Sequence, residues 1–82
     1  MTPQQVADLI RNAIPGATVE VRSGDNVHFE SRVISSEFAG KRPLQRHQQV
    51  YRALGELMGG EIHALSIEAL TPDEFQNAPQ GR

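Results

Sequence analysis

Histidine supplies the main candidate metal donors in this 82-residue chain, because cysteine is absent and the two methionines offer only thioether sulfur. Of the three histidines, His63 stands out, since it interrupts the otherwise apolar run Ile62-His63-Ala64-Leu65-Ser66-Ile67. Two chemistries fit an imidazole in that setting. It is either a hydrogen-bonded group at the edge of the core or a ligand, neutral imidazole being the commonest protein metal donor. Without a thiolate the chain cannot complete an iron-sulfur or structural zinc site by itself, so any such metal must be shared with a second molecule. A disulfide framework and a thiolate nucleophile are excluded on the same ground.

A second constellation precedes it in the chain. Lys41, Arg42, Arg46 and Arg52, half of the eight cations, fall within twelve residues that contain no Asp or Glu. Pro43 marks the first turn of a helix here, and the free N–H groups and dipole of such a start attract anions. The patch reads either as an anion-binding surface, for phosphate, glutathione carboxylates or an acidic partner, or as a solvated helix face. Eight basic against ten acidic residues, a net charge of −2, argue against general nucleic-acid affinity. Four cations neutralise few phosphates, so duplex binding should be weak and salt-sensitive. His47 shares its spacing with Leu44, Tyr51 and Leu54, which places it on the packed stripe of the same helix. A structural role is expected there, satisfying loop carbonyls near Gly40 or tying a short helical turn to the long helix. No nucleophile has an adjacent base, no Gly-rich loop awaits a nucleotide, and no carboxylates pair at useful spacing, so the chain is expected not to be an enzyme.

The elements that position these residues follow from periodicity. Thr2, Pro3 and Gln5 form a capping box ahead of Val6, Leu9, Ile10, Ala13 and Ile14 at helical spacing, and Pro15-Gly16 stops that helix. Period-two alternation through Ala17, Val19 and Val21, then Val27, Phe29, Ser31 and Val33, predicts two strands joined by the turn-prone Ser23-Gly24-Asp25-Asn26. His28, Glu30 and Arg32 then face solvent. Ser35 or Ser36 caps one helical turn around Phe38, and Gly40 breaks it. Pro43 opens the longest helix, whose apolar stripe is Leu44, His47, Val50, Tyr51, Leu54, Leu57 and Met58 and which ends at Gly59-Gly60. A third strand is expected over about 61–69, with His63 on the helix-facing side at its open end, and Thr71-Pro72-x-Glu74 caps a short final helix. The order α-β-β-α-α-β-α puts helices on one face of a three-stranded sheet, an α+β fold. No run approaches a membrane span and no leader pattern opens the chain, so a soluble cytoplasmic protein is expected.

Four of these pieces, in order, resemble the BolA family: the Phe38-x-Gly40-Lys41 turn, the Leu44-x-Arg46-His47 helix start, the Ile62-His63-Ala64-Leu65-Ser66 strand, and the Thr71-Pro72-x-Glu74-Phe75 cap, where BolA proteins usually carry Trp in place of Phe75. The Ser23–Phe29 segment is similar to the hairpin loop of one bacterial branch, the IbaG-like proteins. The resemblance implies a class II KH-like fold, with a BolA-like domain over 1–76 and a disordered tail over 77–82. It further implies that His63 is a ligand to a [2Fe-2S] cluster held jointly with a monothiol glutaredoxin and its glutathione, no cofactor being bound by the chain alone. The family's second ligand, His or Cys, sits in the loop between the first two strands. Here Asp25 falls near that position and His28 lies three residues on, so the second ligand is one of these or neither. Such a protein would be an adaptor in iron-sulfur trafficking or iron regulation, monomeric alone or a weak homodimer. Some BolA proteins are described as DNA-binding regulators, which would make Lys41, Arg42, Arg46 and Arg52 phosphate contacts. Yet the Gly-x-x-Gly clamp of nucleic-acid-binding KH domains is missing, because Gly40-Lys41-Arg42 runs into Pro43.

Overall fold

The computed structural model describes residues 1–77. Its elements are α1 (Pro3–Ala13), β1 (Thr18–Arg22), β2 (His28–Ile34), α2 (Pro43–Leu54), β3 (Ala64–Leu70) and α3 (Pro72–Asn77), with 3-10 turns at Ser36–Phe38 and Gly55–Leu57. The helix starts form as their residues dictate. Gln5 N–H donates to Thr2 Oγ1 at 3.2 Å while Gln5 Oε1 accepts from Thr2 N–H at 2.9 Å. Glu74 and Thr71 repeat the same exchange at 3.2 and 2.9 Å ahead of α3. Ser35, rather than Ser36, caps the first 3-10 turn.

The sheet has the order β1-β2-β3, with β1 and β2 antiparallel and β2 and β3 parallel. A parallel pair requires a crossover, and α2 provides it. Strand parity then sorts the side chains. Val19, Val33 and Ala69 share one row toward the helices, whereas Glu20, Arg32 and Glu68 share a row on the opposite face. Arg32 donates from Nε to Glu68 at 2.8 Å and lies 3.6 Å from Glu20, and its guanidinium sits 5.4 Å from the centre of the Phe75 ring. α3 thus folds round the end of β3 and sets its aromatic ring against the outer face. Inside, Val6 and Ile10 of α1, with Ile14 at its C-cap, close on Val33, Phe38, Val50 and Ile62, all fully buried.

Three boundaries differ from the sequence expectation. α2 stops at Leu54, four residues early, because Gly55 adopts φ +54° and turns the chain out of the helical path. β3 starts at Ala64, not near Glu61. Ile62 is drawn back onto the preceding turn, its N–H donating to Leu57 at 2.9 Å and its carbonyl accepting from Gly59 at 2.8 Å. Asn77, expected in the tail, closes α3, and the rest of the expected tail lies outside the described residues.

The packed stripe of α2 also differs. Leu44 is 68% exposed and Tyr51 39% exposed, whereas Arg46 is 8% exposed and shares the buried side with Val50 and Leu54 at i, i+4 spacing. Arg46 is therefore not an anion-binding residue of the surface. Its guanidinium grips Glu74 with two bonds, 2.6 Å to Oε1 and 3.1 Å to Oε2, and donates to the carbonyls of Lys41 at 2.9 Å and Ala69 at 3.0 Å. The aliphatic stem and Phe38, whose ring centre lies 5.8 Å from the guanidinium carbon, replace the leucine that apolar patterning favours. The carbonyl-satisfying role expected of His47 belongs to Arg46. His47 is half-buried, and its ring makes no hydrogen bond among the described residues.

Removing one side of this network leaves the other uncompensated. Arg46→Ala is expected to destabilise the fold by about 2–4 kcal/mol, the range for stripping a partner from a largely buried charged cluster, and urea unfolding measures it. The Arg46 hydrogen bonds, then the Thr71 backbone, hold the Glu74 carboxyl down from its ordinary 4.5 to about 2. The folded protein binds this proton more weakly than the unfolded chain does, so the contribution is complete above about pH 4.5 and declines as pH falls toward 2. Thermal midpoints of wild type and Glu74→Gln should accordingly converge across that window.

Candidate metal centre

The hairpin loop between β1 and β2 is organised by two side chains. Ser23 Oγ accepts from Asn26 N–H at 2.8 Å and donates to the carbonyl of His28 at 2.6 Å. Asp25 Oδ1 accepts from the backbone N–H groups of Val27 at 3.1 Å and His28 at 2.9 Å, an Asx-turn that lets Asn26 take the left-handed φ of +61°. The second carboxylate oxygen, Oδ2, lies 2.7 Å from His28 Nδ1. These bonds, the backbone N–H of His28 foremost, hold the Asp25 carboxyl well below the usual carboxylate range.

The same loop meets the start of β3. His63 N–H donates to the carbonyl of Val27 at 2.8 Å, the last backbone link before the sheet ladder begins. His63 lies just before β3 rather than within it as expected, and its side chain is exposed. His28 opens β2, and its side chain is exposed as well. Their ring centres stand 5.8 Å apart with the planes at 89°. Two imidazoles distant by thirty-five positions in sequence therefore share one surface, with a carboxylate behind one of them. Beside them is a shallow hollow lined by Arg22, Ser23, Gly24, Asp25, His28 and Glu30. The larger depression, between α1 and the sheet, is lined by residues such as Pro3, Asp8 and Arg11 and does not include either imidazole.

The remaining candidates do not join this site. Gly40, at φ +77°, closes the turn in which Lys41 N–H donates to Phe38 at 3.0 Å. Lys41 Nζ donates to Gln49 at 2.7 Å, and Gln49 in turn donates to Glu37 at 3.1 Å, so this cation is already partnered. Arg42 and Arg52 are exposed. They lie at opposite ends of α2, about 15 Å apart along its axis at 1.5 Å per residue. Gln45 Oε1 accepts from Arg42 N–H at 2.9 Å and occupies part of the helix start. With Arg46 withdrawn into the interior, the four cations do not form one patch.

The sequence profile of the BolA-like protein family matches residues 9–74. The chain belongs to the BolA family. Mouse BolA-like protein 1 is 44% identical over 71 residues, covering 87% of this chain and 50% of that protein. The Haemophilus influenzae DNA-binding transcriptional regulator BolA is 38% identical over 53 residues, covering 65% of this chain and 52% of the regulator. This BolA-like chain thus spans about half the length of those two relatives. The structure of a BolA homologue from Coxiella burnetii superposes with a TM-score of 0.78 at 38% identity, covering 94% of this chain and 99% of the homologue.

The donor set fits part of a metal centre. Among the described residues no three His, Asp, Glu or Cys side chains gather at one point, so the two imidazoles are an incomplete site. At metal–nitrogen distances of about 2 Å, two rings on one tetrahedral centre have their centres roughly 5 Å apart. The observed 5.8 Å is close to that separation. The borderline-soft nitrogens suit iron alongside thiolates from another molecule, whereas the oxygens of Asp25 are hard donors already engaged by the loop. Because Ser23 holds this loop closed, Ser23→Ala is expected to cost about 1 kcal/mol locally. Hydrogen exchange should then lower protection of the Asn26 amide several-fold.

Proposed function

We propose that this BolA-like protein is a non-enzymatic adaptor that binds a monothiol glutaredoxin and contributes His63 and His28 to a shared [2Fe-2S] cluster, in iron-sulfur trafficking or iron regulation. The observation that carries the reading is the exposed imidazole pair, 5.8 Å between ring centres, on a chain with no cysteine. Two nitrogen donors on an open surface are of little use to a protein alone and are what a thiolate-bearing partner lacks. A glutaredoxin with its bound glutathione supplies the sulfur side of such a centre. Imidazole in place of thiolate removes negative charge from the cluster and raises its reduction potential, as in Rieske centres. The chain's own part is to hold both rings at one edge, through the Val27–His63 backbone bond and the Asp25 turn.

A second reading, contact with duplex DNA through Lys41, Arg42 and Arg52, is favoured by the exposure of the two arginines and by the name of the Haemophilus relative. It involves three cations and not four, because Arg46 is enclosed. It requires binding that falls steeply with salt and survives loss of both histidines.

Mixing the protein with cluster-loaded monothiol glutaredoxin separates the two. A coloured heterocomplex is expected whose visible absorption and circular dichroism change on His63→Ala. A complex with the same spectrum before and after that substitution overturns the shared-cluster reading.

A further inference from the structure

We propose that Asp25 is a positioning residue that fixes His28 as the Nδ1–H tautomer, making Nε2 the ring atom offered to the metal. The identity of that metal rests on the function proposed above, whereas the tautomer does not. The geometry divides the labour between the two carboxylate oxygens. Oδ1 is pinned by the backbone N–H groups of Val27 and His28, at 3.1 and 2.9 Å. Oδ2 is thereby held facing Nδ1 at 2.7 Å and cannot swing away without opening the turn. An ionised carboxylate has no proton to give, so the hydrogen in this bond must come from the ring. A neutral imidazole that is protonated at Nδ1 carries its lone pair at Nε2.

A second tier supports the first. Ser23 Oγ accepts from Asn26 N–H at 2.8 Å and donates to the His28 carbonyl at 2.6 Å, closing the loop that carries the carboxylate. A histidine whose far nitrogen is held by a carboxylate is the usual arrangement of a metal-bound imidazole, since the acceptor sets ring orientation and raises ligand basicity. His63 has no hydrogen bond to its ring among the described residues and meets His28 edge-on at 89°. The site is thus asymmetric, with His28 preset and His63 free to adjust to what a partner brings. Asp25, which stands near the family's second-ligand position, serves as the support of a ligand displaced three residues along the chain.

Asp25→Asn is a selective test. Asparagine keeps a carbonyl oxygen for the two loop N–H groups and puts an NH2 group opposite Nδ1, which then must accept, forcing the proton to Nε2. Long-range 1H–15N correlation spectra of the labelled protein alone, at about pH 8.5, two units above the ordinary imidazole value, read the tautomer directly. Wild-type His28 is expected as Nδ1–H, and Asp25→Asn as Nε2–H with protection of the His28 amide unchanged. A wild-type ring in the Nε2–H form, or one indifferent to the substitution, overturns the proposal. In the cluster-loaded complex, pulsed EPR of the reduced form should lose one of two strong 14N couplings on Asp25→Asn. The expected tautomer with both couplings intact in that variant overturns the positioning role. The expected tautomer with no strong 14N coupling even in wild type overturns the shared-cluster reading and the metal half of the proposal together, leaving the tautomer assignment standing.

Discussion

The guanidinium of Arg46 is the joint on which the architecture turns. From the buried side of α2 it reaches the carbonyl that ends the Gly40 turn, the carbonyl of Ala69 near the end of β3, and the carboxylate of Glu74 in α3. One planar group with five donors thus ties the turn just before its own helix to the β3–α3 corner, twenty-three to twenty-eight positions away. The short α3 could not persist by its own propensity, since helices of this length are marginal in water. Its Thr71–Glu74 cap and the Arg46–Glu74 fork share the same carboxylate, so local capping and long-range docking reinforce one another.

Much of this fold is legible in the sequence. Capping boxes, the period-two strands and the Pro15-Gly16 stop each rely on contacts between near neighbours, and each element they announce is present. The failures share a cause. Arg46 hides among polar helix residues because its partners lie twenty-three and twenty-eight positions away, and an apolar stripe of Leu44 and Tyr51 looks better until both side chains are seen to be exposed. Gly55 inside a helical pattern carries no mark separating tolerance from termination. The turn that captures Ile62 depends on Gly59, and spacing alone does not reveal which way that glycine bends.

The candidate site was half legible. An imidazole in an apolar run advertises itself, although the strand begins one residue after His63. Its convergence with His28 was not readable, because parity arguments assign the two rings to different surfaces, whereas their centres stand 5.8 Å apart. Asp25 was visible as a turn residue but not as a partner of the ring. The sign was the spacing Ser23-x-Asp25-x-x-His28, in which the Asx-turn brings the third residue's side chain back over the carboxylate.

The N–H groups of His63 and Ala64 both reach the carbonyl of Val27, at 2.8 and 3.4 Å, where the parallel pairing of β2 with β3 begins. A slip of a single residue in the parallel pairing would carry His63 about 3.3 Å along the strand and turn its side chain to the other surface. The same slip would carry Leu65 out of the core, so one register both buries that leucine and sets His63 beside His28.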